Sequence, residues 1–369
     1  MKWSLYLGKP WGIKLFIHWT FLILIGWVLI SQLSQGSTLQ QALWPVGFIL
    51  AVFACVTFHE YGHALAARKY NVSTQKITLL PIGGIASLEK IPDKPSEELV
   101  VAAAGPLVNV VIAILIYLGL ILSGTPVIFP TEMNQMNISN FFPMLMLVNI
   151  ILVVFNLIPA FPMDGGRMLR ALLAMRMDKI IATRWASSIG QFFAILFAFW
   201  GLMAGNPFII FIAVFIYLGA QAEYQNMASV SLLSGFKVRD ITMHKFTALH
   251  PYERLSHAIQ IMLDSQEERF VVLSDQQVVG TLTKRNIIEG LNNHGPDLSI
   301  QQAMNKDIQT VTEETPLEEA MNVFQQKGIS LLPVMRETQF IGLLDMDNIH
   351  EFMLIQSALR KNNASLETV

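Results

Sequence analysis

The stretch FACVTFHEYGHALAARKY, residues 53–70, sets His59, Glu60 and His63 in an otherwise apolar run. On a helix, positions i and i+4 share a face, so both imidazoles of the H-E-x-x-H pattern can reach one ion. Neutral imidazole suits zinc, and Glu60 projects beside it, where it can take a proton from water. An ionisable cluster inside lipid is costly and usually functional. Whether the run lies in lipid, and what completes the ligand set, must come from the rest of the chain.

Of the 369 residues 53% are hydrophobic and only 14% charged, against about 25% charged in a soluble domain. The deficit is uneven. Residues 1–230 hold long apolar runs, while 235–369 read as ordinary soluble sequence. A polytopic α-helical membrane domain followed by a soluble α/β domain is expected. Apolar runs near the roughly 20 residues of a membrane span fall at about 15–33, 42–67, 99–122, 142–162, 187–205 and 207–224. No small-residue cleavage motif follows Leu33, so the first run reads as a span rather than a removable signal.

Lys and Arg cluster before the first span and in the second and fourth connections: Lys2, Lys9, Lys14; Arg68, Lys69, Lys76, Lys90, Lys94; Arg167, Arg170, Arg176, Lys179, Arg184. The other connections carry none. Basic loops face the cytoplasm, so six spans with both termini and the soluble domain cytoplasmic are expected. The net charge of −2 gives no sign of a nucleic-acid partner. Cys55 is the single cysteine, which excludes a disulfide framework within the chain.

A catalytic zinc takes three protein ligands and keeps one position open. The fourth span runs toward the same side as His63 and ends in FNLIPAFPMDGGR, residues 155–167. Pro159 and Pro162 interrupt helical bonding, and Gly165-Gly166 permit a tight turn after Asp164. Asp164 on irregular backbone at matching depth is therefore the expected third ligand. Cys55, one turn before His59, reads as packing, and His18 as an interfacial or core histidine.

HEYGH, LPIGGIASLE, AAGPLVN and NLIPAFPMDGG follow one another on successive segments. In order and spacing they resemble the site-2 protease family of intramembrane zinc metalloproteases, over about residues 1–230. The resemblance implies one zinc held by His59, His63 and Asp164, with Glu60 as general base and acid. It also implies proteolysis of membrane-anchored protein substrates in a lipid bilayer, the cytoplasmic membrane. Asn156, eight residues before Asp164, carries over as a catalytic amide for the oxyanion or substrate carbonyl. Asn109, after Gly105-Pro106, is grouped with the substrate-binding residues, with an interhelical hydrogen bond as its alternative. Gly83, Gly84 and Ile85 resemble the family's membrane-dipping hairpin, whose strand edge could take an unwound substrate.

Residues 243–290 and 304–353 read as one unit written twice. PYERLSHAIQIML parallels TPLEEAMNVFQQKG, and ERFVVLSDQQVVGTLTKRNI parallels ISLLPVMRETQFIGLLDMDNI. The pair resembles tandem cystathionine-β-synthase (CBS) domains over about 237–356, split at 237–295 and 298–356, with a tail at 357–369. Such pairs often bind nucleotides, which puts an adenine nucleotide near Thr283, Asn286, Asp345 and Asn348. Both copies carry asparagine, Asn286 and Asn348, where the family's ribose-holding aspartate stands. A homodimer through these domains, or an inhibitor protein, would be further partners. The competing expectation is a CBS-regulated channel or transporter, in which zinc would be dispensable.

Overall fold

The computed structural model describes residues 4–81, 83–88, 92, 94–127, 137–265 and 267–366; Lys2 and Lys90 of the basic map lie outside them. The chain divides into two compact units, Met1–Met227 and Ala228–Val369.

The first unit opens with strands β1 (Ser4–Gly8) and β2 (Lys14–His18), then helices α1 (Thr20–Ser34) and α2 (Leu39–Lys69). Strands β3 (Thr74–Leu80) and β4 (Gly83–Leu88) follow, then helices α3 (Pro95–Ser123), α4 (Ile138–Leu157), α5 (Asp164–Ala174), α6 (Lys179–Met203) and α7 (Pro207–Leu233), whose last residues, from Ala228, belong to the second unit. Among the described residues α2, α3, α4, α6 and α7 are long and apolar enough to cross a bilayer. Side chains such as Trp27, Leu122, Phe199 and Phe211 point outward from these helices and from α1. A bundle with so much apolar surface suits lipid, not water.

The first apolar run is not one helix. Residues 14–18 form β2, which pairs antiparallel with β1 and parallel with β3. Its backbone groups are satisfied by two neighbours, so strand wins over helix there. What remains, α1, has 15 residues and spans about 22 Å at 1.5 Å per residue.

The sheet order is β1-β2-β3-β4, with β4 at an edge. Ile77 and Leu79 of β3 pack with Tyr61 and Ala64 of α2, so the sheet lies against the half of α2 that carries the histidines. Helix α2 begins at a Thr38–Gln41 capping box and runs 31 residues, about 46 Å by the same rise. Gly62 lets α3 approach closely: a Cβ there would stand 2.8 Å from the Ala104 carbonyl.

The expected turn after Asp164 is instead the start of α5. Gly165 and Gly166 serve close packing, because their Cβ atoms would lie 2.2 Å from the Ile158 carbonyl and 2.5 Å from the Phe161 nitrogen. The irregular backbone precedes Asp164, at residues 158–163.

In the second unit β5 (Ala248–Leu249), α8 (Leu255–Ser265), β6 (Arg269–Ser274), β7 (Gln277–Thr283) and α9 (Lys284–His294) form the first copy. Helix α10 (Ile300–Ala303) leads to the second: β8 (Val311–Thr312), α11 (Leu317–Lys327), β9 (Leu331–Arg336), β10 (Gln339–Asp345) and α12 (Met346–Leu366). Each copy pairs its short strand parallel to the middle one and closes with an antiparallel hairpin. The copies exchange their opening segments. Met243 bonds to Leu343 in both directions, and Asn305 does the same to Thr281. Val271, Leu331 and Leu343 form a core shared by both. Helix α12 continues to Leu366, through most of the stretch expected as a tail.

Candidate metal centre

His59 and His63 sit one turn apart on α2, and Asp164 opens α5; all three are buried. His59 Nε2 lies 3.1 Å from His63 Nε2 and 3.2 Å from Asp164 Oδ2, and His63 Nε2 lies 3.1 Å from the same oxygen. The three atoms form a near-equilateral triangle. Ligands about 2.0 Å from a tetrahedral zinc stand roughly 3.3 Å apart, so the triangle has the size that ion requires.

The outer ring nitrogens decide what the inner ones can be. His63 Nδ1 lies 2.7 Å from the Val101 carbonyl, which only accepts, so Nδ1 carries the proton and Nε2 a lone pair. His59 Nδ1 lies 2.6 Å from Asn109 Oδ1, which fixes the same tautomer. With neutral rings, two lone pairs and a carboxylate oxygen then face one another with no proton between them. Such a set repels itself unless a cation joins it.

The space for that cation depends on Gly105 of α3. A Cβ there would lie 2.2 Å from His63 Nε2 and 2.7 Å from His59 Nε2, so any side chain would press into the ligand triangle. Zinc fits this donor set, two imidazoles and one carboxylate. Glu60 lies on the sheet side. A Cβ on Gly84 of β4 would stand 2.6 Å from Glu60 Cγ, so β4 passes against Glu60 with no room for a side chain.

Other expected positions are distributed differently. Asn109 is fully buried and engages His59 and Asn149, which is the interhelical alternative to substrate contact. Asn156, half-buried, donates through Nδ2 to the Leu152 carbonyl of its own helix at 2.9 Å. Gly83 and Ile85 flank Gly84 on β4, paired with Leu80 and Thr78. Cys55 is buried beside Phe48 and Leu145, and His18 Nδ1 lies 2.8 Å from Thr20 Oγ1.

Sequence reading missed two features. Asn149 is fully buried behind Asn109; as a polar residue in an apolar span, seven before Asn156, it was visible in principle. Arg170, also fully buried, donates from Nε to Glu98 at 2.7 Å and from a terminal nitrogen to Glu223 at 2.6 Å. Its guanidinium lies 5.1 Å from the centre of the Phe161 ring, a cation–π distance. This cluster ties α3, α5 and α7 together.

In the second unit a cleft of about 980 Å3 is lined by Thr283, Asn286, Arg269, Lys284 and Asn305 among others. The second-copy positions are committed elsewhere. Arg269 reaches Asp345 at 3.1 Å and Asp347 at 2.5 Å, and Asn348 donates to the Ile241 carbonyl at 3.0 Å. Burial alone would lower the Arg269 guanidinium; its bonds and proximity to Asp347 and Asp345 instead hold it above its ordinary pKa.

Buried imidazoles and a carboxylate inside apolar helices define a class: a polytopic membrane protein built around a metal-capable cluster. Models of peptidase family M50 match residues 47–129 and 121–200, and CBS domain models match 238–293 and 299–355. A zinc metalloprotease of Methanocaldococcus jannaschii is 31% identical over 361 residues, covering 95% of this chain and 99% of its own. The chain belongs to peptidase family M50, the site-2 protease type of membrane zinc metalloprotease, and carries a tandem CBS pair. A solved site-2 protease from the same organism is 38% identical over 60% of this chain and 95% of its own, with a TM-score of 0.44. A CBS pair crystallised with 5′-methylthioadenosine and S-adenosyl-L-methionine is 19% identical over 31% of this chain and 94% of its own, with a TM-score of 0.30.

Proposed function

We propose that this protein is an intramembrane zinc endopeptidase that cuts membrane-anchored protein substrates. The observation that carries the reading is the triangle of two imidazole lone pairs and a carboxylate beside Glu60. His59, His63 and Asp164 hold zinc, which when bound supplies a Lewis acid that activates water and polarises the scissile carbonyl. Glu60 removes a proton from the attacking water and delivers it to the leaving amine. Asn156 steadies the oxyanion or the substrate carbonyl through its amide.

A helical substrate hides its carbonyls in its own hydrogen bonds, so it must unwind before hydrolysis. Edge strand β4 offers it a ladder of free backbone groups, with Gly83, Gly84 and Ile85 as the contact. Gly84 lies beside Glu60, where a Cβ would stand 2.6 Å from Cγ, so a strand added at that edge runs close to the base. The Lys- and Arg-rich connections support a reading with the termini and the CBS pair on the cytoplasmic side of the cytoplasmic membrane.

The CBS pair, residues 237–356, tunes this activity. An adenine nucleotide would enter the cleft at Thr283 and Asn286, where the exposed Lys284 and Arg285 could exchange their partners Glu268 and Glu289 for phosphates. Asp345 and Asn348 are occupied by internal partners and take a lesser part. Homodimerisation through this module, or an inhibitor protein, provides further control.

The test is a comparison of membrane proteomes from cells carrying wild-type chain or Glu60→Gln. Anchored fragments of specific proteins should accumulate with the variant. Identical fragment patterns, with zinc removable from the wild type at no cost to function, would favour the channel or transporter reading.

A further inference from the structure

Behind His59 runs a chain of amides that sequence reading did not assign. His59 Nδ1 lies 2.6 Å from Asn109 Oδ1, Asn109 Nδ2 donates to Asn149 Oδ1 at 2.8 Å, and Asn149 Nδ2 donates to the Leu145 carbonyl at 2.8 Å. Both asparagines are fully buried, so water cannot serve as a substitute partner.

An amide has two unlike ends of nearly equal size, and only hydrogen bonding tells them apart. The Leu145 carbonyl can only accept. It therefore draws the Asn149 NH2 and turns the Asn149 oxygen toward Asn109. Asn109 answers with its own NH2, which leaves its oxygen facing His59. An oxygen at Nδ1 demands a proton there, and the Nε2 lone pair then faces His63 and Asp164. Reversing the amides would set an NH2 against Nδ1, move the ring proton to Nε2 and block ligation. His63 needs no relay, because a backbone carbonyl, that of Val101, meets its Nδ1 directly.

We propose that Asn149 is a positioning residue that sets the His59 tautomer through Asn109. The proposal rests on the zinc reading above, and its test separates the two. Zinc affinity is measured on the full chain in detergent by competition with a chromophoric chelator. Asn149→Leu keeps the branched shape and removes the polarity, and affinity should fall about 10–100-fold, the usual cost of losing an outer hydrogen-bond partner. Asn109→Asp supplies an acceptor whichever way it turns. In that background Asn149→Leu should change affinity by less than about threefold, the coupling expected of two residues in one hydrogen-bond network, while its effect on Tm is the same in both backgrounds. If Asn149→Leu does not accumulate, Asn149→Ala carries the same comparison. Equal affinity in wild type and Asn149→Leu, or equal losses in both backgrounds, overturns the relay alone. A wild-type chain that takes up no zinc overturns the metal reading as well.

Discussion

Among the described residues, buried polar side chains in the membrane unit include Gln32, His59, His63, Glu98, Asn109, Asn149, Asp164 and Arg170, whereas Thr281 is the single one in the soluble unit. The CBS copies bury Leu249, Leu255, Phe270, Leu282, Leu317, Leu332 and their like, and keep charges at the cleft and surface. A soluble domain gains little from buried charge and avoids it. The bundle has lipid outside and should avoid it more strictly, since an unpaired polar group finds no water there. That it buries so many, and joins all of these but Gln32 into two connected clusters, marks the bundle as the place of chemistry. The soluble pair is built to fold and to present a cleft.

The contrast can be broken most completely at Gly105. Gly105→Ala puts a methyl 2.2 Å from His63 Nε2, so zinc content measured by metal analysis should fall to background in a folded chain. Retained stoichiometric zinc would mean that the triangle is not the metal site. Arg170→Met comes next. It takes the shared guanidinium from Glu98 and Glu223 and leaves Glu98 only the Lys179 amine, 3.6 Å away, and removing one partner of a buried pair costs about 3–5 kcal/mol. Unfolding in detergent should reveal that loss, with partial recovery when Glu98→Gln is added. Gly84→Val should displace Glu60 and lower kcat on the order of 10²-fold, as misplaced catalytic groups do, while zinc stays bound. The smallest effect belongs to the soluble unit. Arg269→Ala breaks its bonds to partly buried Asp345 and exposed Asp347, a loss of about 1 kcal/mol, read as a small shift in Tm; a collapse of the CBS pair would show that its charges matter as the bundle's do.

Much of this was legible in the sequence because the decisive spacings are local. His59 and His63 meet because four residues make one helical turn, and Asp164 stood out as a carboxylate next to proline-broken backbone. The repeat of the CBS pair was likewise visible, since each copy repeats its own apolar pattern. What escaped depends on neighbours distant in the chain. KLFIH at 14–18 is apolar enough for helix or strand, and only pairing to β1 and β3 decides for strand. Arg170 read as a cytoplasmic loop charge, and nothing local showed that Glu98 and Glu223 would enclose it. GG after Asp164 read as a turn, although the glycines serve close packing inside a helix. Asn149 was a lone polar residue in a span, without a partner until α3 stood beside it.

In the proposed mechanism the buried triangle holds a zinc on which Glu60 acts. The mechanism is tested most directly by assaying zinc content and substrate cleavage together in purified wild-type protein, Glu60→Gln and Asp164→Asn. One zinc per chain is expected in wild type and in Glu60→Gln, cleavage in wild type alone, and weakened zinc retention in Asp164→Asn. Undiminished cleavage by Glu60→Gln, or unchanged zinc affinity in Asp164→Asn, would contradict it.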